Sequence, residues 1–359
     1  FLPPLDSAGM TLATVYDDAP YNYLDTNRPI RNFYNGYRGY STIREAISDS
    51  MNIIAAKTIA DVTPQKSYEY LLDLGFDTLV DDKELDDGTT STDIHQSLSL
   101  GGLTNGVTNL ELTNAFASIA NGGTYYEPKL YTKVVDQSGN VLLSSDTSGK
   151  KVMKKTTSFL LTDAMKDVIT DGTGTDAQLS SDMAVAGKSG TTSDRTDYWF
   201  SGYTPYHTMS VWMGYDLNTK FDSKELHKKM WADIMDQIIK TKKEKPADFD
   251  KPDGITTAQI CKKSGKLAIP GVCDHDPRGS MVTTEYFAEG TVPTQTCDTH
   301  VAVELCRESN EPASSNCPAD DRIRKVYIVR QKNARGETDD SPYLLPEEYQ
   351  TETCHIHTK

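Results

Sequence analysis

Three β-strand signals follow one another in the middle of the chain with only short turns between them. They occupy residues 183–191, 198–203 and 207–215, and the last alternates apolar with polar residues around Met209 and Val211. Such period-two alternation is typical of a strand with one buried face, and strands joined by short turns run antiparallel. These strands constrain the fold most, because together they require an antiparallel sheet.

Helix signals lie on both sides of this sheet. Thr42 and Thr108 each precede a glutamate by three residues, which is the capping-box pattern of a helix start. Residues 157–169 carry apolar side chains on one helical face, and residues 226–238 repeat them every four positions. Helices before and after an antiparallel sheet predict an α+β fold.

The net charge and the lengths of the apolar runs restrict which functions the sequence allows. The 359 residues include 37 Lys+Arg and 52 Asp+Glu, a formal net charge of −15. Nucleic-acid binding needs a clustered basic face, so we expect no nucleic-acid partner. No apolar run approaches the roughly eighteen residues of a membrane span.

Composition predicts three parts. Residues 240–255 are charged and contain prolines, as linkers often do. We therefore expect a main domain at residues 1–239, this linker, and a cysteine-containing C-terminal extension at residues 256–359.

All six cysteines lie in that extension. An even number in a polar, loop-rich tail predicts disulfides and an oxidising compartment, although sequence cannot choose among the possible pairings. The cysteines are Cys261, Cys273, Cys297, Cys306, Cys317 and Cys354.

Two of these cysteines belong to Cys-x-x-His pairs, which end at His300 and His357 and hint at a weak internal repeat. A zinc site is conceivable. Disulfides are the favoured interpretation, because the tail lacks Cys-x-x-Cys pairs. The sequence thus predicts no metal and no cofactor.

The stretch Gly187-Lys188-Ser189-Gly190-Thr191 allows two interpretations. A phosphate-binding loop would need a glycine at position 182, where the chain has aspartate, and a helix after the lysine and serine. Strand signals follow instead, so the phosphate interpretation fails.

The second interpretation is an edge strand that binds a carboxylate. Side chains alternate between the two faces of a strand, so Lys188 can point one way while Ser189 and Thr191 present hydroxyls to a cleft. Gly190 leaves room for another backbone alongside. Such a set suits a substrate carboxylate and a developing oxyanion, although an ordinary polar edge strand would look the same.

The wider context resembles the penicillin-binding transpeptidases. Residues 187–192 and the aromatic strand at 197–205 resemble their lysine-hydroxyl-glycine strand and the strand after it. Ser50-Met51-Asn52 resembles their Ser-Asp-Asn motif. Residues 13–20, 37–47 and 98–123 are similar to class A (bifunctional) members. The resemblance covers residues 1–240, and the tail more loosely resembles extensions of Gram-positive members.

This resemblance implies the fold of penicillin-binding proteins and serine β-lactamases, and a D,D-transpeptidase activity. A serine would attack the penultimate D-Ala of a peptidoglycan stem peptide, and an amine from a neighbouring stem would resolve the acyl-enzyme into a cross-link. The implied partners are stem peptides and β-lactam antibiotics. The implied location is the extracellular face of the cytoplasmic membrane of a Gram-positive bacterium.

The resemblance also implies roles for individual residues. Ser50 would pass protons between the nucleophile's lysine, the leaving amine and Lys188, while Asn52 would bind the stem-peptide amide. Lys188 would supply positive potential near Ser50. The hydroxyls of Ser189 and Thr191 would bind the terminal carboxylate, and the Thr191 N–H would form half of the oxyanion hole. The substrate-binding set is Ser189, Gly190, Thr191 and Thr192.

One motif departs from the family pattern. The nucleophile motif Ser-x-x-Lys does not precede Ser50, and its one occurrence, Ser148 to Lys151, comes too late in the chain. We therefore expect the nucleophile, a glycosyltransferase domain and a membrane anchor upstream of residue 1. Without the upstream Ser-x-x-Lys motif, we expect this chain alone to be inactive. The alternatives are a non-catalytic peptidoglycan-binding relative and a serine β-lactamase or D,D-carboxypeptidase.

Overall fold

The computed structural model describes residues 1–145, 148–330 and 336–357. Within these residues the α-helices are α1 (Leu2–Ser7), α2 (Ile43–Ser48), α3 (Asn52–Val62), α4 (Pro64–Asp73), α5 (Asn109–Ala120), α6 (Lys155–Thr170) and α7 (Leu226–Lys242). The strands are β1 (Val15–Asp18), β2 (Tyr21–Asn22), β3 (Pro29–Ile30), β4 (Gly39–Thr42), β5 (Lys83–Glu84), β6 (Thr90–Ser91), β7 (Thr124–Tyr125), β8 (Lys133–Val135), β9 (Val141–Ser144), β10 (Lys150–Lys151), β11 (Ala186–Thr191), β12 (Asp197–Tyr203), β13 (Thr208–Gly214), β14 (Ile255–Cys261), β15 (Val282–Ala288), β16 (His300–Cys306) and β17 (Arg322–Ile328).

The chain divides into two units that interleave along the sequence. The first unit comprises Phe1–Gly9, Ile47–Ser50 and Ala55–Ile255. The second unit comprises Met10–Ala46, Met51–Ile54 and the described part of Thr256–Lys359. None of the helices in the described residues has the length and apolar character needed to cross a bilayer.

The first unit contains the predicted sheet. Strands β11, β12 and β13 pair in that order, and both pairs are antiparallel. Lys188 on β11 lies opposite Ser201 on β12, which lies opposite Ser210 on β13. With helices packed against this sheet, the α+β prediction is confirmed. In the described residues β11 is an edge strand, so one side of its backbone has no neighbouring strand.

An apolar core between the sheet and helices α6 and α7 holds these strands in place. Phe200 and Trp231 have no exposed surface, and their rings meet edge to face with centroids 5.2 Å apart. The Trp231 indole N–H donates to the Met209 carbonyl at 2.9 Å. A buried aromatic pair adds about 0.5–1.5 kcal/mol beyond the area it buries. The strand that carries Lys188 therefore belongs to a rigid layer.

Both predicted capping boxes form. The Thr108 hydroxyl accepts the Glu111 N–H at 3.1 Å, and the Glu111 carboxylate accepts the Thr108 N–H at 2.7 Å. The Thr42 and Glu45 pair makes the same two bonds at 3.2 and 2.9 Å. These exchanges satisfy N–H groups that a helix start leaves unpaired.

Glu111 has a second task in the first unit. Its carboxylate also accepts the N–H groups of Asp77 and Thr78, at 2.8 and 3.1 Å. Burial alone would raise the pKa of Glu111, but these bonds and those from Thr108 outweigh burial and lower the pKa to about 2. The ionised carboxylate thus ties a loop to the start of α5.

The strands of the second unit form two-stranded pairs. Its pairs are β1 with β4, β2 with β3, β14 with β15, and β16 with β17. Ala13, Ile260 and Phe287 form a small cluster with no exposed surface.

The cysteines of the second unit form no disulfide in the described residues, so the predicted disulfide-rich tail is wrong. All six are buried free thiols. The even count that favoured disulfides consists of two separate sets of three thiols, each beside a histidine. A set of three cannot pair completely.

Candidate functional site

A hydrogen bond joins two of the predicted site residues across 138 positions of sequence. The Lys188 ammonium donates to the Ser50 hydroxyl at 2.8 Å and to the Ser189 carbonyl at 3.1 Å. Lys188 lies in the middle of the edge strand β11, and Ser50 lies just past the end of α2. Both residues belong to the first unit.

Ser50 has an unusual backbone conformation. Its φ of 53° lies in the left-handed region, which residues other than glycine rarely adopt. Its N–H donates to the Ile47 carbonyl at 3.4 Å, which closes the turn after α2. Backbone strain of this kind costs about 1–3 kcal/mol and collects at functional sites. The turn aims the Ser50 hydroxyl at Lys188.

The charge of Lys188 is weakened by its surroundings. Burial is the main cause and the nearby Lys228 ammonium the second, and together they lower the Lys188 pKa to about 8, although Asp49 opposes the shift. About a tenth of the molecules would then carry a neutral Lys188 amine at pH 7. The side chain can therefore act as a cation and also exchange a proton near neutral pH.

The hydroxyls of β11 occupy two environments. Ser189 lies within hydrogen-bond distance of the Thr173 hydroxyl, at 3.0 Å. Thr191 is exposed at the end of the strand. Because side chains alternate along a strand, Ser189 and Thr191 share one face of β11 and Lys188 lies on the other.

The two glycines of β11 differ in what the chain requires of them. A Cβ at Gly187 would lie 2.7 Å from the Phe200 ring and 2.9 Å from the Ser201 carbonyl, so packing requires glycine there. A Cβ at Gly190 would meet only the Trp199 Cβ, at an ordinary 3.6 Å. The surrounding chain thus leaves space at Gly190.

Thr192 takes part in the turn between β11 and β12. Its hydroxyl accepts the N–H groups of Thr196 and Asp197, each at 3.0 Å. Its own N–H donates to the Asp197 carbonyl at 3.1 Å. These bonds hold the end of the edge strand.

Sequence reasoning missed the loop that supports this site. The Thr173 N–H donates to the Ser48 carbonyl at 3.3 Å, and the Lys228 ammonium donates to the Thr173 carbonyl at 2.6 Å. A Cβ at Gly172 would lie 2.5 Å from the Ser48 carbonyl, so the close approach requires glycine. A Gly-Thr-Gly run directly after the amphipathic helix α6 was the available signal. Thr173 therefore connects the end of α2 to Ser189.

Asn52 belongs to the second unit, unlike the other predicted site residues. It is the first residue of α3, and its side-chain amide donates to the Arg31 carbonyl at 2.8 Å. Its role at the site stays a prediction. The groupings of metal-ligating side chains in the described residues also lie in the second unit, between Cys261 and His357.

Two family models match the chain. Residues 3–239 match the penicillin binding protein transpeptidase domain, and residues 251–302 match the C-terminal domain of penicillin-binding protein 1A. The chain is 34% identical over 353 residues to penicillin-binding protein 1A of Clostridium botulinum, covering 95% of this chain and 41% of that protein. It is 30% identical over 302 residues to penicillin-binding protein 1A/1B of Bacillus subtilis, covering 79% and 31%.

Solved structures share the fold. Penicillin-binding protein 1A from Haemophilus influenzae matches with a TM-score of 0.63 at 22% identity, over 82% of this chain and 47% of that one. The PonA1 protein from Mycobacterium tuberculosis, solved in complex with penicillin V, matches with a TM-score of 0.60 at 23% identity, over 70% and 69%. The chain spans about two fifths of the length of the two Clostridium botulinum relatives.

Proposed function

The chain belongs to the penicillin-binding protein transpeptidase family, and we propose that it takes part in the D,D-transpeptidation that cross-links peptidoglycan stem peptides. One observation carries the proposal. The Lys188 ammonium and the Ser50 hydroxyl lie 2.8 Å apart beside an edge strand of hydroxyl-bearing residues. Besides a nucleophile, acyl transfer from a peptide terminus needs a cation, a proton-transfer hydroxyl and an open strand edge.

The edge strand is proposed to bind the acyl donor. An extended stem peptide would lie along the unpaired side of β11, as peptides do when they add a strand to a sheet edge. Its terminal carboxylate would meet the hydroxyls of Ser189 and Thr191 near the positive Lys188. The space that the surrounding chain leaves at Gly190 would admit the backbone of the bound peptide. Thr192 would hold the end of β11 in place.

The pair of Lys188 and Ser50 is proposed to move protons. When the attacking serine forms an ester with the penultimate D-Ala carbonyl, its proton must reach the amine of the leaving D-Ala. When the neighbouring stem amine attacks that ester, the proton moves the other way. Ser50 can relay protons because a hydroxyl both donates and accepts, and Lys188, with its pKa of about 8, can take or give one. The Thr191 N–H would stabilise the oxyanion of each step. Asn52 is proposed to bind the peptide amide.

The attacking serine is proposed to come from a Ser-x-x-Lys segment outside residues 1–359. The one such motif in this sequence, Ser148 to Lys151, is used elsewhere. Its last two residues form β10, which pairs with β7, and the Lys151 ammonium donates to the Gly122 carbonyl at 2.6 Å. β-Lactams are proposed to acylate the same serine, on the extracellular side of the cytoplasmic membrane.

Covalent labelling of the full-length protein with a fluorescent penicillin tests the proposal. We expect Lys188→Ala to slow labelling by roughly 100-fold or more, the range for a lost proton-transfer group. Lys166→Ala is the matched control. The Lys166 ammonium bonds the Asp248 carboxylate at 2.8 Å and is not part of the pair of Lys188 and Ser50. Equal labelling rates for both variants contradict the proposed role. If penicillin labels neither the full-length wild-type protein nor its variants, the protein is a non-catalytic relative.

A further inference from the structure

Two groups of four metal-ligating side chains lie in the second unit. The first Cys3His set is Cys261, Cys273, Cys297 and His300, and the second Cys3His set is Cys306, Cys317, Cys354 and His357. Within each set the four ligand atoms lie within 4.8 Å of one another. We propose that each set binds one structural zinc ion.

The distances match one tetrahedral ion in each set. Zinc–sulfur bonds of about 2.3 Å and zinc–nitrogen bonds of about 2.0 Å place a nitrogen and a sulfur about 3.5 Å apart, and two sulfurs about 3.8 Å apart. The His300 Nδ1 lies 3.2 Å from the Cys261 sulfur and 3.6 Å from the Cys297 sulfur. These separations are those of ligands that share one metal ion.

The second set repeats these values. The His357 Nδ1 lies 3.5 Å from the Cys306 sulfur and 3.4 Å from the Cys354 sulfur. Iron–sulfur clusters divide their four protein ligands among two or more irons, which would hold some of these ligand atoms farther apart than a shared ion does. Zinc is therefore the metal that these sets fit best.

Each histidine turns its other ring nitrogen toward a carboxylate. The His300 Nε2 lies 2.9 Å from an Asp276 carboxylate oxygen, and both side chains are fully buried. Arg278 in turn donates two bonds to Asp276, both at 2.8 Å. The His357 Nε2 lies 3.7 Å from the Glu308 carboxylate. Metal-bound histidines typically donate their second N–H to such a group, which leaves Nδ1 free as the ligand.

Backbone N–H groups also point at the sulfurs. The Ile269 N–H donates to the Cys273 sulfur at 3.3 Å, and the Ser314 N–H donates to the Cys317 sulfur at 3.3 Å. The His300 N–H donates to the Cys297 sulfur at 3.4 Å. Donated hydrogen bonds favour the thiolate, which is the form that binds metal.

The two sets share one architecture, which explains the repeat in the sequence. In each set the first cysteine ends a strand, and its carbonyl accepts the N–H of the residue four positions later at 2.8 Å, which is Gly265 for Cys261 and Asn310 for Cys306. Each set ends with Cys-x-x-His. Strand β16 begins at His300 and ends at Cys306, so its six residue steps separate the two ions by about 20 Å.

Four protein ligands close each site, so the zinc ions are assigned a structural role. One apolar cluster of the second unit surrounds Ile260 and Phe287. Structural zinc contributes folding free energy directly, and zinc itself has no redox chemistry. The ions would add to the apolar burial that holds β14 and β16 in place.

Metal analysis of the 359-residue chain tests the proposal. The protein is purified with a phosphine reductant and without chelator, and its metals are measured by plasma mass spectrometry. We expect two zinc ions per chain, one for each set. Iron in place of zinc, or zinc well below one per chain, overturns the proposal.

Matched histidine variants locate the ions. His300→Ala and His357→Ala should each remove one zinc. His355→Ala should remove none, because His355 is exposed and bonds Glu311 at 2.7 Å instead. Loss of zinc from the His355 variant, or retention of both ions in the His357 variant, contradicts the assignment.

Cobalt replacement in the wild-type chain covers the case in which a ligand variant fails to fold. Two tetrahedral thiolate sites should give intense visible absorption and thiolate-to-cobalt charge transfer at two cobalt ions per chain. The weak spectrum of octahedral cobalt would overturn the proposal.

Discussion

The Lys188 ammonium donates a 2.8 Å hydrogen bond to the Ser50 hydroxyl, which it reaches across 138 positions of sequence. The bond joins an edge strand of a rigid sheet to a strained turn at the end of a helix. Neither residue is distinctive alone, since lysines on edge strands and serines near helix ends are common. Together they supply a cation and a proton relay beside an unpaired strand edge.

The buried ammonium of Lys188 should give the protein a characteristic pH dependence. Its pKa is about 8 in the folded state against 10.5 ordinarily. Between these values the unfolded chain binds more protons than the folded one, so the free energy of unfolding should rise from about pH 8 to pH 10.5. Lys188→Met should remove that rise, as measured by urea unfolding across this range. Lys166→Met should keep it, and a rise of the same size in the Lys188 variant would refute the assignment.

Glu111 should govern acid stability of the first unit. Because its pKa is lowered to about 2, its contribution is present above its ordinary pKa of 4.5 and is lost as the pH falls from there toward 2. Glu111→Gln should lower the free energy of unfolding at pH 7 by about 1–3 kcal/mol, since several N–H groups lose a charged acceptor. The exposed Glu69→Gln serves as control in urea unfolding at pH 7 and pH 3. A Glu111 variant as stable as the control at pH 7 would show that the capping network contributes little.

The two glycines of β11 should separate stability from function. Gly187→Ala should lower the free energy of unfolding by about 1–3 kcal/mol, because its Cβ would press against Phe200 and the Ser201 carbonyl. Gly190→Ala should leave stability unchanged within about 0.5 kcal/mol, since the chain leaves room there. In the full-length protein, however, Gly190→Ala should slow acylation by penicillin. Thermal unfolding and labelling rates measure both effects, and an unaffected labelling rate would contradict peptide binding along β11.

Thr173 should act as a positioning residue for Ser189. Thr173→Val removes the hydroxyl that lies 3.0 Å from the Ser189 hydroxyl but keeps the side-chain volume. In the full-length protein we expect this variant to raise the donor-peptide concentration needed for half-maximal rate and to change the maximal rate little. The reason is that the lost hydroxyl supports carboxylate binding and not the chemical step. Thr173→Ser should restore wild-type behaviour. A maximal rate that falls as much as the apparent affinity would place Thr173 in the chemistry instead.

The strands and the motif on them were predictable because their signals are local. Alternation around Val211 and the run from Gly187 to Thr191 identify the sheet and its edge strand without any tertiary information. The bond between Lys188 and Ser50 was expected only through family resemblance, since no local pattern links positions so far apart. Thr173 escaped notice because its role depends on a backbone approach to Ser48, a partner that the Gly-Thr-Gly run around Thr173 does not identify.

The arrangement of the cysteines, in contrast, could not be predicted from local signals. Their even number favoured disulfides, but which thiols meet depends on how β14, β16 and the C-terminal residues fold together. The Cys261 sulfur lies 3.2 Å from the His300 Nδ1 across 39 positions of sequence, and a count of residue types contains no such information. The two Cys-x-x-His pairs were the one local sign of the arrangement.

A double-mutant cycle on Lys188 and Ser50 tests the central claim most directly. The rate constant for acylation by a fluorescent penicillin is measured in the full-length wild-type protein, in Lys188→Ala, in Ser50→Ala and in the double variant. If the two side chains act as one proton-transfer unit, the double variant should be about as slow as the slower single variant, because each single change already breaks the unit. Independent effects that multiply in the double variant would contradict the account.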